Sequence, residues 1–196
     1  MILGKLASLP VELAITTNGI TLDRYIDVLK ENNIKNINVS LDTLSESKFK
    51  EITRRNQFEK VYNNILLLIE NGFKVKINAV LIKGFNDDEI IDFINLTKEL
   101  PISFRFIEFM PFDGNKWDLK KMVSYAEVLE RVNNHFPIEN VERIQDAEND
   151  TSKNYRIKGY KGSFAVISSV TNPFCDSCNR LRLTADGKLK NCLFSA

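Results

Sequence analysis

Residues 58–82 read FEKVYNNILLLIENGFKVKINAVLI, and a change of period inside them decides the fold class. Val61, Ile65, Leu68 and Ile69 recur at the three- and four-residue spacing of one helix face, which predicts a helix over 58–70. Asn71-Gly72 closes it, because glycine takes the left-handed conformation a helix C-terminus needs. The apolar residues of 74–82 (KVKINAVLI) then run nearly without a break and are rich in β-branched side chains, which predicts a strand buried on both faces. A helix feeding directly into such a strand is half of a βαβ unit.

The same pattern extends outward from this stretch. Upstream, 34–41 (IKNINVSL) reads as a strand and 45–52 as a short helix. Leu22, Tyr25, Ile26 and Leu29 give 22–32 a helical stripe. Residues 13–16 (LAIT) form a short apolar run that ends in the turn Thr16-Thr17-Asn18-Gly19. Downstream, Asn86-Asp87-Asp88-Glu89 is a helix-start signal for 90–100, its acids read as first-turn charges favoured by the helix dipole. Residues 103–109 (SFRFIEF) are a further strand. Strand and helix alternate every ~30–40 residues, which predicts an α/β fold of parallel βαβ units. Ligands in such folds bind beyond the C-terminal strand ends. Three polar motifs fall there: 16–19, Ser40-Leu41-Asp42-Thr43 and Glu108-Phe109-Met110-Pro111.

At 196 residues the chain is one domain or most of one. A net charge of +1 provides no bulk field for nucleic acid or a membrane surface, so neither is expected as a partner. No apolar run is long enough to span a bilayer. With no apolar leader and an odd number of cysteines, a cytoplasmic location is expected.

The C-terminal third changes character. Ser124 and Glu127 spell a capping box for a helix over 124–134. Residues 139–153 are charged and without period, and are expected to form a mobile loop. Two hairpins follow: 155–160 with 163–170 around Lys161-Gly162, and 179–184 with 188–194 around Ala185-Asp186-Gly187. With Gly187 in the left-handed position of a three-residue loop, Arg182 falls opposite Lys190 and Arg180 opposite Cys192. Cys178, Arg180, Arg182 and Thr184 then share one face and Leu181, Leu183, Leu189 and Leu193 the other.

Cys175, Cys178 and Cys192 are the only cysteines. Three thiolates leave one coordination position of a metal open, whereas a closed structural site takes four protein ligands. Spacing alone does not separate zinc, with His135 as a fourth ligand, from an iron–sulfur cluster. An open metal beside Arg180 and Arg182 suits an anion carrying a ring nitrogen or carbonyl, such as a nucleotide. His135 otherwise reads as a helix-end residue, and Trp117 as packing.

The run 174–194 (FCDSCNRLRLTADGKLKNCLF) resembles the C-terminal cluster motif of the molybdenum-cofactor biosynthesis protein A family, the radical S-adenosylmethionine GTP 3',8-cyclases. In the same order, 16–19 (TTNG), 37–43 (INVSLDT), 76–80 (KINAV), 105–117 (RFIEFMPFDGNKW) and 122–125 (MVSY) are similar to that family too. The resemblance implies an incomplete (β/α) TIM-like barrel, a radical SAM core truncated at the N-terminus, over 1–122. It implies a C-terminal β-hairpin extension over 123–196. Cys175, Cys178 and Cys192 would hold a [4Fe–4S] cluster with one open iron that meets the GTP purine. Lys76, Arg105, Arg180 and Arg182 would contact GTP, while Thr16, Thr17, Ser40 and Met110 would line the S-adenosylmethionine site. The reaction would cleave S-adenosylmethionine to a 5'-deoxyadenosyl radical, which takes a ribose hydrogen so that the ribose closes onto C8 of guanine.

The family's Cys-x3-Cys-x2-Cys and Gly-Gly-Glu-Pro stretches are absent. The second, radical-generating [4Fe–4S] cluster is therefore expected on an N-terminal region this chain lacks. The expectation is a fragment, inactive alone, with no catalytic residue of its own. A non-catalytic cluster- and GTP-binding fragment and a structural zinc protein stand as alternatives. The resemblance allows a homodimer, and a mitochondrial location if the source is eukaryotic.

Overall fold

The computed structural model describes residues 2–112, 115 and 117–193. Asp113, Gly114, Lys116 and Phe194, which belong to motifs quoted above, lie outside the described residues. The helices are α1 (Ile2–Ala7), α2 (Ile26–Glu31), α3 (Glu46–Thr53), α4 (Phe58–Glu70), α5 (Ile90–Glu99) and α6 (Tyr125–His135). The strands are β1 (Ala14–Thr17), β2 (Asn36–Ser40), β3 (Lys74–Leu81), β4 (Ser103–Glu108), β5 (Val141–Arg143), β6 (Lys153–Ile157), β7 (Ser163–Ile167), β8 (Arg182–Leu183) and β9 (Leu189–Lys190).

Strands β1 to β7 form one sheet in the order β1-β2-β3-β4-β7-β6-β5. Strands β1, β2, β3, β4 and β7 are parallel, and β6 and β5 complete the sheet antiparallel. The sheet stays open, with β1 and β5 at its edges. It agrees with the expected incomplete α/β barrel, but the junction near residue 122 does not interrupt it, because β7 pairs directly with β4.

The strands bury one face and leave the other half open. Val75, Ile77, Ala79 and Leu81 alternate with half-buried Lys76, Asn78 and Val80 along β3. Phe104 and Phe106 do the same on β4, and Phe93 of α5 stacks on Phe104 with ring centroids 4.3 Å apart. Each such fully buried side chain contributes about 1.5–3 kcal/mol. The strand over 74–82 was expected to be apolar on both faces; its polar phase instead lines a cleft. Gly19 is buried at φ +78°, with Val39 and Val61 methyl carbons 3.0 Å from where a Cβ would sit. Only glycine fits that turn.

Residues 139–153 are not the loop expected of them. Val141–Arg143 pair with β6, and Asn154 donates to Asp146 and Asp150 and so orders the segment between. A three-residue strand is too short to show a period, and side-chain hydrogen bonds leave none either. The first hairpin forms with β6 and β7, but its turn is wider than Lys161-Gly162. Gly162 instead abuts the preceding α5–β4 joint, where its N–H donates to Thr97 and a Cβ would lie 2.3 Å from the Ile102 carbonyl oxygen. The terminal hairpin has the expected register, Arg182 opposite Lys190, with Gly187 at φ +84°. Its ladder stops there, before Arg180 and Cys192 could pair. Among the described residues no helix is long and apolar enough to cross a membrane.

Candidate functional site

Register partners on neighbouring strands project to the same face. One row across the face opposite the helices is therefore Thr16, Asn38, Lys76, Ser103 and Ser163. The next row toward the strand C-termini is Ser40, Asn78, Arg105, Ala165 and Asn154. The sheet thus brings together five groups on a polar concave face: Thr16, Ser40, Asn78, Lys76 and Arg105. A cleft of about 610 Å³ continues below them, lined by Lys74, Lys76, Ser103, Arg156 and Lys161 among others.

Arg105 and Asn78 each carry an unsatisfied atom. Arg105 Nε and Asn78 Oδ1 are buried and make no hydrogen bond. An unmet buried polar group costs about 1–3 kcal/mol, so the pair marks a candidate point of contact for a ligand. Burial lowers the Arg105 pKa, nearby Asp150 opposes that shift and Arg180 adds to it. Burial also lowers the Lys76 pKa, helped by Arg105 and opposed by Asp150. Arg105 thus feels the charge of Arg180 and Lys76 that of Arg105, and Asp150 acts on both Lys76 and Arg105 as a counter-charge.

The segment after β5 holds that counter-charge in place. Asn154 Nδ2 donates to Asp150 at 3.0 Å, and Ser152 Oγ donates to it at 3.0 Å. Thr151 Oγ1 accepts from Arg180 at 3.0 Å, and the Arg180 guanidinium lies 5.7 Å from the centre of the Phe174 ring. A pocket of about 320 Å³ opens here between Thr151, Lys153 and the stretch Asn172–Ser177. Arg180 and Arg182 are both half-buried, while Leu181, Leu183 and Leu189 are 72–74% exposed.

The expected S-adenosylmethionine residues divide. Thr16 and Ser40 share the concave face, and Asn38 Nδ2 reaches Thr16 Oγ1 at 3.2 Å. Thr17 points the other way, and its Oγ1 accepts from the Gly19 N–H at 3.2 Å. Met110 is half-buried just past β4, its carbonyl held by Asn115.

Cys175, Cys178 and Cys192 are exposed. Cys175 and Cys178 share one turn, closed by Cys178 N–H to the Cys175 carbonyl at 3.2 Å. Among the described residues no three His, Cys, Asp or Glu side chains are gathered closely enough to hold a metal ion. The short ladder of the hairpin explains this, since an isolated two-stranded ribbon with an uncovered apolar side has little to extend it. His135 does not join the cysteines. It packs edge-on against Phe136, which meets Tyr160 at the pole where β7 begins, whereas Cys175 follows the end of β7 at the other pole.

The acids of the sequence motifs have distant partners that no local pattern announced. Glu108 is 1% exposed and accepts from the Tyr125, Val170 and Thr171 N–H groups at 3.1, 2.8 and 2.9 Å, and from the Thr171 hydroxyl. It ties the end of β4 to α6 and to the segment that leads into Cys175. Glu89, a first-turn acid as expected, is also a lock between loops: it accepts from Thr43 Oγ1, the Leu44 N–H and Lys48 Nζ at 2.7, 2.6 and 2.9 Å. Asp42, whose carboxyl burial pushes up, accepts from the Val80 N–H at 2.8 Å. Asn38 and Asn78 could have been found from their polar phase inside KINAV and INVS. Asp150 and Thr151 had no local signal.

A family profile described as Radical SAM superfamily matches residues 2–97, and one described as Molybdenum Cofactor Synthesis C matches 102–196. The chain is 52% identical over 183 residues, 93% of its length, to the Arabidopsis thaliana protein named "GTP 3',8-cyclase, mitochondrial". It is 48% identical over 93% of its length to "Molybdenum cofactor biosynthesis protein 1" of Homo sapiens, and 43% identical over 94% to "GTP 3',8-cyclase" of Alkaliphilus oremlandii. It spans 46%, 28% and 56% of those relatives, so about half their length or less. A radical SAM methyltransferase from Sphaerobacter thermophilus is similar in fold alone, with a TM-score of 0.51 at 14% identity over 91% of this chain and 44% of that one.

Proposed function

Because the chain belongs to the radical SAM superfamily, in its molybdenum cofactor synthesis branch, we propose that it carries the substrate-binding half of a GTP 3',8-cyclase. The superfamily works with S-adenosylmethionine and an iron–sulfur cluster. The observation that carries the reading is the unpartnered Arg105 Nε and Asn78 Oδ1 on a face shared with Lys76, with Arg180 acting on Arg105. Three cations about one polar row fit a triphosphate, which offers several charges and many acceptor oxygens.

In this reading Lys76, Arg105 and Arg180 hold the phosphates, and Arg182 closes over them from the hairpin. Residues 1–122 supply the first four strands of the partial barrel, and 123–196 add β7 to it and bring the cysteines to its mouth. Cys175 and Cys178, on one exposed turn, with Cys192 from the other arm of the hairpin, have the soft donor chemistry of a [4Fe–4S] cluster and would leave one iron open for the purine. Thr16, Ser40 and Met110 line the S-adenosylmethionine side, with Thr17 setting the turn beneath them. When bound, the cluster and S-adenosylmethionine supply the radical chemistry. The chain's own groups bind the nucleotide, fix its orientation and keep water away. In this reading the radical-generating cluster is held by residues outside this chain. Location follows the source, mitochondrial as in the name of the Arabidopsis relative or cytoplasmic otherwise.

The test is anaerobic reconstitution with iron and sulfide, followed by a GTP titration read by calorimetry and by the visible spectrum. About four irons per chain are expected, with a spectral change on GTP. Arg105→Ala should weaken GTP binding at least about tenfold, the equivalent of about 1.5–3 kcal/mol for bonds to a charged group, with iron content unchanged. Equal GTP affinity in Arg105→Ala and Lys76→Ala would defeat the proposal. One retained zinc in place of iron would favour the structural-metal alternative.

A further inference from the structure

Asp150 is a carboxylate delivered into a site for anions. Asn154 holds it, and Asn154 stands in the same sheet row as Arg105, two strands away across Ala165. Ser152 fixes the same carboxylate through its N–H and its hydroxyl. Asn149, immediately before it, has φ +62°, a left-handed conformation that a non-glycine residue takes at a cost. The turn so made sets Asp150 and Thr151 side by side, and Thr151 takes Arg180 by its guanidinium. Asp146 anchors the near end of the segment through Arg143 and Asn154. So many fixed contacts for one acid and one hydroxyl are not those of a passive loop.

We propose that Asp150 is a built-in competitor for substrate phosphate that sets how much negative charge the site accepts, while Thr151 beside it aims Arg180. The inference rests on the nucleotide reading above. Without a ligand, the carboxylate offsets part of the charge of Lys76 and Arg105, so the site does not trap small anions. A triphosphate must outbid it, and each added phosphate charge feels its repulsion. Asp150 is thus a specificity-determining residue and Thr151 a positioning residue.

The test measures GTP, GDP and inorganic triphosphate affinities by calorimetry on the full chain, with Asp150→Asn, Asp150→Ser, Glu148→Gln and Thr151→Val. Asp150→Asn keeps an oxygen for Ser152 and removes the charge. It should bind GTP and inorganic triphosphate about three- to tenfold tighter, and GDP less so, which raises the GTP-to-GDP preference. Asp150→Ser should show the same direction and stands in if the asparagine variant does not fold. Glu148→Gln removes equal net charge from an exposed side chain of the same segment and should change nothing. Thr151→Val should weaken GTP severalfold without altering that preference, and Thr151→Ser should restore it. Unchanged or weaker triphosphate binding in both Asp150 variants overturns the inference, as does an equal gain in Glu148→Gln. A gain for inorganic triphosphate, with no variant binding GTP, overturns the nucleotide reading and leaves Asp150's role standing.

Discussion

A single buried carboxylate, Glu108, ties three separate parts of this molecule together. It lies at the end of β4, almost wholly buried, and satisfies backbone N–H groups of Tyr125, Val170 and Thr171. Removing it strands those donors away from water, and that costs more than the bonds were worth. Glu108→Ala should therefore lose about 2–4 kcal/mol in urea unfolding. Glu108→Gln, which can still accept through one atom, should lose less. A loss below about 0.5 kcal/mol in Glu108→Ala would mean the donors find water and the clamp is not structural. At this scale the candidate site was half legible. Lys76 and Arg105 were expected only through the family resemblance, because the strand over 74–82 reads as apolar on both faces; the face they share shows in the sheet register. Asp150, Thr151 and the acceptor role of Glu108 depend on partners tens of residues away, which no local pattern encodes.

At the scale of elements, the α6 start shows a local signal realised as written. Ser124 Oγ accepts from the Glu127 N–H at 3.2 Å, while the Glu127 carboxylate takes the Ser124 N–H and hydroxyl at 2.8 Å each. Lys83 at 2.6 Å, then the Ser124 bonds, pull the Glu127 pKa from 4.5 down to about 2. A carboxylate depressed in the folded state stabilises above its unfolded value. That contribution is intact above about pH 4.5 and is lost as pH falls toward about 2. The side chain is 34% exposed, so solvent screening holds the effect to about 1 kcal/mol. Ser124→Ala should cost about 1 kcal/mol near neutrality. Melting curves between pH 5 and 2 should show the difference between wild type and variant shrinking, and a constant difference would mean the capping box does not couple to Glu127. Elements of this kind were readable because their cause is local: α4, β3 and α5 follow from period and caps. Strand β5 was not, having only three residues. Nor could the insertion of β7 beside β4 be read, since nonlocal pairing is chosen by burial of Phe104 against Phe164 rather than by any turn.

For the whole molecule, the decisive contrast is between the sheet and the terminal hairpin. The seven-stranded sheet buries Phe93, Phe104, Phe106 and Phe164 completely. The β8–β9 hairpin leaves Leu181, Leu183 and Leu189 at 72–74% exposure and is held by two residue pairs. A ribbon of that kind is marginal in water, and regions with few buried contacts open at low cost. The cysteines therefore ride on a sparsely buried part of the molecule, where Arg180 donates to Thr151 of the segment beside the sheet. Hydrogen exchange on the metal-free chain should show amides of β3 and β4 opening only by global unfolding. Amides of 178–193 should exchange with little protection. Leu183→Glu should leave the urea midpoint within about 0.5 kcal/mol, whereas Phe104→Ala should cost about 3–5 kcal/mol. Reconstitution with iron should then protect the hairpin and leave the sheet's exchange unchanged, because ligation by Cys175, Cys178 and Cys192 would fix both arms to one centre. Protection of the hairpin before any metal is added would place its order in the fold, and the cysteines would then be a preformed site rather than one the cluster assembles.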